Sequence, residues 1–246
     1  MVRAVITAGG IVGGEFASAI GTPVKALAPY AAGTLLDVAL EACAAAGIDG
    51  VAVVGGDAVR EHLRGSEVRV IDAAVDGGTN VLRALDAWPG ERFVYLTSDL
   101  PFATGSGVRD LVERSDGAAL AMALGSVEAY RKRFPGAAAH EVALRGERIA
   151  NGSAFVFAPE AVAPARALAT RFFDARKSLF ALARLLGPSL CMRFACKRLG
   201  VADIEAYGTR MLGLPVAALR DCDPGLCYDV DTLEEYRYAC SLTTRA

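Results

Sequence analysis

Apolar residues in the first hundred positions follow two alternating rhythms. Val2–Thr7 is a short continuous run rich in β-branched residues, and it stops at Ala8-Gly9-Gly10. A run of that length closed by glycines is the pattern of a strand buried on both faces. Over 35–46 the apolar positions (Leu35, Leu36, Val38, Ala39, Ala42, Cys43) follow helical spacing instead, and they end at Gly47. The rhythms then alternate: a strand over 51–54, a helix over 58–63, a strand over 68–71, a helix over 80–88 and a strand over Arg92–Thr97. Ser98-Asp99-Leu100-Pro101 cuts the last one off. Strand and helix in alternation predict βαβ units and a mostly parallel sheet, an α/β fold of Rossmann-like type. Ligands of such sheets bind at the carboxyl ends of the strands. The turns at 8–14, 76–80 and 98–101, which carry glycine or aspartate, fall there.

The second half has another texture. A strand is expected over 118–124, and Glu141–Leu144 and 154–157 flank turns as an antiparallel piece would. Residues 166–186 have helical spacing and predict one long basic helix with Arg166, Arg171, Arg176, Lys177 and Arg184. A strand over 214–218 and a terminal helix over 233–240 complete the chain. No internal repeat and no Pro/Ser-rich linker interrupts it. The expectation is one domain over 1–246: a parallel half (1–115), a small antiparallel and helical elaboration (116–225) and a closing segment (226–246).

Composition narrows the function classes. Of 246 residues, 53% are hydrophobic and 22% charged, an ordinary globular balance. The net charge of −2 argues against a nucleic-acid partner, because such domains present a basic face. No uncharged run approaches the ~18–20 residues of a membrane helix. Met1-Val2-Arg3-Ala4-Val5-Ile6 leads directly into a strand pattern without an export signal, so a cytoplasmic protein is expected. Its cysteines, Cys43, Cys191, Cys196, Cys222, Cys227 and Cys240, are then expected to be reduced thiols. Their spacing is not that of a zinc site.

Four places carry candidate chemistry. The loop Ala8-Gly9-Gly10-Ile11-Val12-Gly13-Gly14 lets backbone N–H groups approach a phosphate, although it serves equally as a tight strand-to-helix turn. Lys25 is one of only 4 lysines against 22 arginines and follows this loop; its compact ammonium suits a point contact to a phosphate oxygen or an exposed surface site. Asp99 ends a buried strand, where a carboxylate can hold Mg²⁺ or cap a helix. Asp229-Val230-Asp231 is a D-x-D pair whose carboxylates point to one side of an extended segment, and the same residues can cap the terminal helix through a capping box.

Ala8-Gly9-Gly10, Lys25-Ala26-Leu27, Ser98-Asp99-Leu100-Pro101 and Asp229-Val230-Asp231-Thr232-Leu233-Glu234-Glu235 follow one another at a spacing that resembles the nucleotidyltransferase superfamily with a GT-A-like fold. The nearest branch is that of the molybdenum-cofactor guanylyltransferases. The resemblance covers 1–115 and 226–240, and Asn151-Gly152 is similar to an asparagine–glycine strand of sugar-phosphate members. It implies an Mg²⁺-dependent enzyme that transfers a nucleotidyl group from an NTP to a phosphorylated small molecule and releases pyrophosphate. Ala8, Gly9, Gly10, Gly13 and Gly14 would bind the nucleotide, with Gly78 and Asn80 at the base or ribose. Lys25 and Asp99 would be catalytic. Asp99, with Asp229 or Asp231, would hold the metal, and Asn151, Gly152, Arg176 and Lys177 would face the acceptor. The first loop departs from the family's usual A-G-G-x-x-x-R-M-G-x-x-K: no arginine lies between Gly10 and Lys25, and Glu15 stands there.

Two rival readings remain. A nucleotide- or nucleotide-sugar-binding regulatory module would keep the fold without turnover. A Rossmann dinucleotide enzyme fits less well, since the loop lacks the third glycine and no acidic residue closes the second strand. The basic helix is a solvated face or an acceptor-phosphate contact. The apolar residues around it, with Leu185, Leu186, Met192 and Phe194, suit a homodimer contact or a lipid-like acceptor surface.

Overall fold

The structure, a computed structural model, describes residues 1–175 and 178–243. In chain order it comprises β1 (Val2–Thr7), α1 (Gly14–Ile20), β2 (Pro29–Tyr30), β3 (Gly33–Thr34), α2 (Leu35–Ala45), β4 (Val51–Gly55), α3 (Asp57–His62), β5 (Arg69–Asp72), α4 (Gly77–Leu85) and β6 (Arg92–Thr97). It continues with α5 (Gly105–Arg114), β7 (Leu120–Ser126), α6 (Val127–Arg133), β8 (Glu141–Leu144), β9 (Glu147–Phe157), α7 (Val162–Ala175), α8 (Leu179–Leu186), α9 (Pro188–Ala195), α10 (Val201–Leu212), β10 (Val216–Leu219) and α11 (Leu233–Thr243).

The large sheet runs β10-β7-β9-β6-β1-β4-β5, with β8 paired to β9. β1 is parallel to both β4 and β6, and β4 to β5, as the βαβ rhythm predicts. β9 lies antiparallel between β6 and β7 and joins the two halves of the chain in one sheet. Side-chain alternation sends Ala4, Ile6, Val53, Val94 and Leu96 to one face, where α2, α3 and α5 cover them. Val5, Ala52, Val54, Phe93 and Tyr95 go to the other, under α4, α7 and α10. A mostly parallel sheet flanked by helices is therefore the architecture, with an antiparallel insertion in the second half.

Three local expectations change. The strand expected at 154–157 is eleven residues long, Glu147–Phe157, and passes through Asn151-Gly152 without turning. Gly152 is there because a Cβ would stand 2.5 Å from the Ala123 carbonyl oxygen, beside a register shift between Met122 and Leu124. The single helix expected over 166–186 is two helices, α7 and α8. Ser178 starts the second by accepting a hydrogen bond from the Ala181 N–H at 3.2 Å. Helices α1, α5, α6, α9 and α10 were not expected. In α5, Gly105 and Gly107 pack against Ala45 and Asp223 and blur the apolar period. Among the described residues no helix is long and apolar enough to cross a membrane.

Candidate active site

The carboxyl ends of β1, β5 and β6 open on a cleft of about 380 Å³. Thr7, Gly9, Gly10, Ile11 and Lys25 line it from the first loop, Val75, Gly77, Asn80 and Val81 from the second, and Tyr95, Thr97, Ser98 and Asp99 from the end of β6.

Hydrogen bonds at its neck explain the long first loop. The Val12 N–H donates to the Pro23 carbonyl at 2.8 Å, and the Lys25 N–H to the Gly10 carbonyl at 3.0 Å. Residues 13–22, with α1, form an excursion that returns Lys25 beside Gly10. Glu15 points away, to Arg237 of α11 at 3.0 Å, so its carboxylate serves that contact and not the cleft. Gly13 precedes α1, and Gly14 takes a left-handed φ of 55° at its start; neither lines the cleft. Ala8 is fully buried, its N–H donating to the Val54 carbonyl at 2.8 Å.

Gly9 is needed for a close approach. A Cβ on it would lie 2.6 Å from Asn80 Nδ2. Asn80 is 4% exposed, and its side chain clamps the second loop: Oδ1 accepts from the Ala74 N–H at 2.6 Å and Nδ2 donates to the Ala74 carbonyl at 3.1 Å. Gly78 faces Phe173 of α7, and its neighbour Gly77 faces the cleft.

Charge gathers at the cleft's edge. Lys25 Nζ stands 2.5 Å from Asp99 Oδ2 and 3.0 Å from Asp231 Oδ1. Burial pushes the Lys25 ammonium toward neutrality, but Asp99 and then Asp231 outweigh it, and the pKa rises above its ordinary value. The other oxygen of Asp99, Oδ1, is buried with no hydrogen-bond donor. The Val230 N–H donates to the Asp99 carbonyl at 3.0 Å and locks the D-V-D segment to the end of β6. Behind that segment Tyr228 packs edge-on to Phe102 and stacks on Tyr130, a rigid aromatic floor.

Asp229 is half-buried. Burial, then the carboxylates of Asp99 and Asp231, push its carboxyl up to about 6, and His140 pulls the other way. Thr232 and Glu235 close a capping box on α11: the Glu235 N–H donates to Thr232 Oγ1 at 3.2 Å, and Glu235 Oε2 accepts from the Asp231 and Thr232 N–H groups at 2.9 and 2.8 Å. Glu235 does the capping, so neither aspartate carboxylate is taken up by the helix end; Asp231 Oδ1 meets Lys25 instead. His140, from the loop before β8, joins Asp229 and Asp231 with one donor atom from each within 4.8 Å of the others. Sequence reasoning missed it because 89 residues separate it from Asp229 and only the β8–β9 pairing returns it.

Asn151 and Gly152 lie on β9, outside the cleft lining. The Asn151 N–H donates to the His140 carbonyl at 3.2 Å. Arg176 and Lys177 lie outside the described residues.

This arrangement brings a glycine loop, a lysine and two separated aspartate motifs to one strand edge. Residues 4–186 match the MobA-like NTP transferase domain family. The chain belongs to that family. A MobA-like NTP transferase is a nucleotidyltransferase, and so is this chain. The match ends before the D-V-D segment, which solved structures span. A hypothetical transferase from Thermus thermophilus superposes with a TM-score of 0.81 at 29% identity, over 96% of this chain and 99% of that one. A nucleotidyl transferase from Methanothermobacter thermautotrophicus gives a TM-score of 0.61 at 18% identity, over 100% and 98%. The 2-C-methyl-D-erythritol 4-phosphate cytidylyltransferase of Thermus thermophilus gives 0.54 at 15%, over 99% and 100%. The last two show that the MobA-like domain shares its fold with them. No curated protein matches the chain.

Proposed function

We propose that the chain transfers a nucleotidyl group from an NTP to a phosphorylated small molecule and releases pyrophosphate. The observation that carries this reading is the Lys25 ammonium held between Asp99 and Asp231 at the mouth of a glycine-lined cleft. The nucleotide lies along Gly9 and Gly10 with its base toward the second loop. An acceptor phosphate oxygen attacks the α-phosphorus in line, and the bond to the β-bridging oxygen breaks. Pyrophosphate leaves with that electron pair. Lys25 turns from the carboxylates to the phosphates and offsets the charge that builds there. The acceptor phosphate is already an anion at neutral pH, so no general base is needed.

The donor set suits a divalent ion. Asp99 offers a buried oxygen that accepts no hydrogen bond, and Asp229 and Asp231 offer carboxylates beside it. Mg²⁺ held by Asp99 and one of these would draw charge from the transferring phosphates. The cytidylyltransferase neighbour, named for a phosphorylated acceptor, supports the acceptor class.

The test is pyrophosphate release with each of the four NTPs, Mg²⁺ and a mixture of phosphorylated acceptors, for the wild type and Asp99→Asn. Release with one NTP, falling ~10²-fold or more in the variant at unchanged melting temperature, is expected. Near-normal release from the variant contradicts the assignment. Thermal stabilisation by an NTP without release from any acceptor would favour the regulatory binding module.

A further inference from the structure

The D-V-D segment meets a group that the transfer reading does not use. His140 Nε2 stands 3.3 Å from Glu235 Oε1, while Glu235 Oε2 holds the backbone of Asp231 and Thr232. One glutamate thus orients both the imidazole and the loop that carries the aspartates. A carboxylate on one ring nitrogen is the arrangement that fixes the tautomer and direction of a metal-binding histidine. The β8–β9 hairpin fixes the ring's backbone from the other side, through the bond from the Asn151 N–H to the His140 carbonyl.

The charge balance around this group is negative. Asp229, Asp231 and Glu235 converge on it, Asp99 stands beside Asp231 across the Lys25 ammonium, and among the described residues the lysine that pairs with these carboxylates is Lys25. None of those pairs is with Asp229. Asp99, only 8% exposed and tied to the segment through the Val230 N–H, keeps its buried Oδ1 without a donor, so a lone pair there is open to a cation.

We propose that His140, Asp229 and Asp231 form a divalent-cation site that takes an imidazole nitrogen beside its carboxylates, and so binds Mn²⁺, Co²⁺ and Zn²⁺ more tightly than Mg²⁺. Mg²⁺ is hard and keeps oxygen ligands and water, whereas imidazole favours the later divalent ions. Donor atoms already within 4.8 Å of one another close on an ion at ~2.1 Å by small side-chain rotations. The proposal rests on the transfer reading only in that the same aspartates serve the ion beside the nucleotide.

The experiment uses the full chain, stripped of metal and free of nucleotide, titrated with Mn²⁺. Bound Mn²⁺ is counted by electron paramagnetic resonance, and coupling to ¹⁴N is read by electron spin-echo modulation. The expected result is one Mn²⁺ with imidazole nitrogen coupling, displaced by Mg²⁺ only at ~10-fold or greater excess. His140→Ala, at an exposed position, should keep the wild-type melting temperature. It should lose the nitrogen coupling and weaken Mn²⁺ binding ~10-fold or more, while Mg²⁺ binding changes less than ~2-fold. Mn²⁺ bound without nitrogen coupling, equal Mn²⁺ and Mg²⁺ affinities, or no bound ion would each overturn the proposal. None of these touches the transfer reading, which fails separately if no pyrophosphate is released.

Discussion

An ammonium wedged between two carboxylates from distant parts of the chain does two jobs, and its removal separates them. Lys25→Met leaves Asp99 facing Asp231 with nothing between, in a place where the lysine and Asp99 side chains are 14% and 12% exposed. Stranding a mostly buried carboxylate in this way costs about 1–3 kcal/mol, less than in a sealed interior because water still reaches it. Turnover should fall ~10²-fold or more, as expected for the loss of a charge aimed at the transferring phosphate. Adding Asp99→Asn to that variant removes the stranded charge and should regain stability in denaturant melts. A double variant no more stable than Lys25→Met would show that the pair does not balance the cleft. Lys25 was legible in the sequence by its rarity and its place after the glycines. His140 was not, because nothing around it suggests a ligand until a hairpin folds it back.

Elements decide how sharply those residues are held. The first loop and the start of α4 meet with no room for a methyl group, so Gly9→Ala should displace Asn80 from Ala74 and open the second loop. The expected loss is about 1–3 kcal/mol together with weaker nucleotide binding, read by thermal shift with and without NTP. A variant with both values unchanged would remove the clamp from the account. Helix α2, which packs on the sheet beside this loop, carries a pH-dependent cap. Asp37 Oδ2 accepts from the Thr34 N–H at 2.8 Å, and Oδ1 lies 2.9 Å from His62 Nε2. Burial raises the Asp37 carboxyl, but the bonds from His62 and Thr34 outweigh it, and the group titrates below its ordinary 3.8. The unfolded chain then holds the proton more tightly. The stabilisation is whole above 3.8 and is lost as pH falls through the folded value. Asp37→Asn should be about 1 kcal/mol less stable at pH 7, and the gap to wild type should narrow in urea melts toward pH 3. A gap that is constant with pH would contradict this. The long first loop shows what spacing alone could not supply. Glu15 stood where a cation was expected, and only the excursion through α1 shows that it faces Arg237.

At the scale of the molecule, a parallel half supplies the cleft and an antiparallel strand joins the rest of the chain to it. The parallel half was legible where buried strands and amphipathic helices alternate, from α2 to β6, while the α1 excursion, the β2–β3 hairpin and α5 break that rhythm and escaped it. The second half was less so, for a physical reason. β9 is inserted between β6 and β7, and its Asn151-Gly152 step, a turn signal in isolation, is required by close packing against Ala123. The order of the sheet brings Asp99 at the end of β6 next to a D-V-D segment more than a hundred residues later. That convergence is the central claim, and the fate of labelled phosphorus tests it most directly. An NTP labelled at the α-phosphorus is incubated with the chain, a divalent ion and phosphorylated acceptors, and a parallel reaction carries the label at the γ-phosphorus. The account predicts that the α-label appears in the acceptor and the γ-label in pyrophosphate. The α-label left in a nucleoside diphosphate, with the γ-label on the acceptor or in free phosphate, would mean phosphoryl transfer or hydrolysis, and would contradict it.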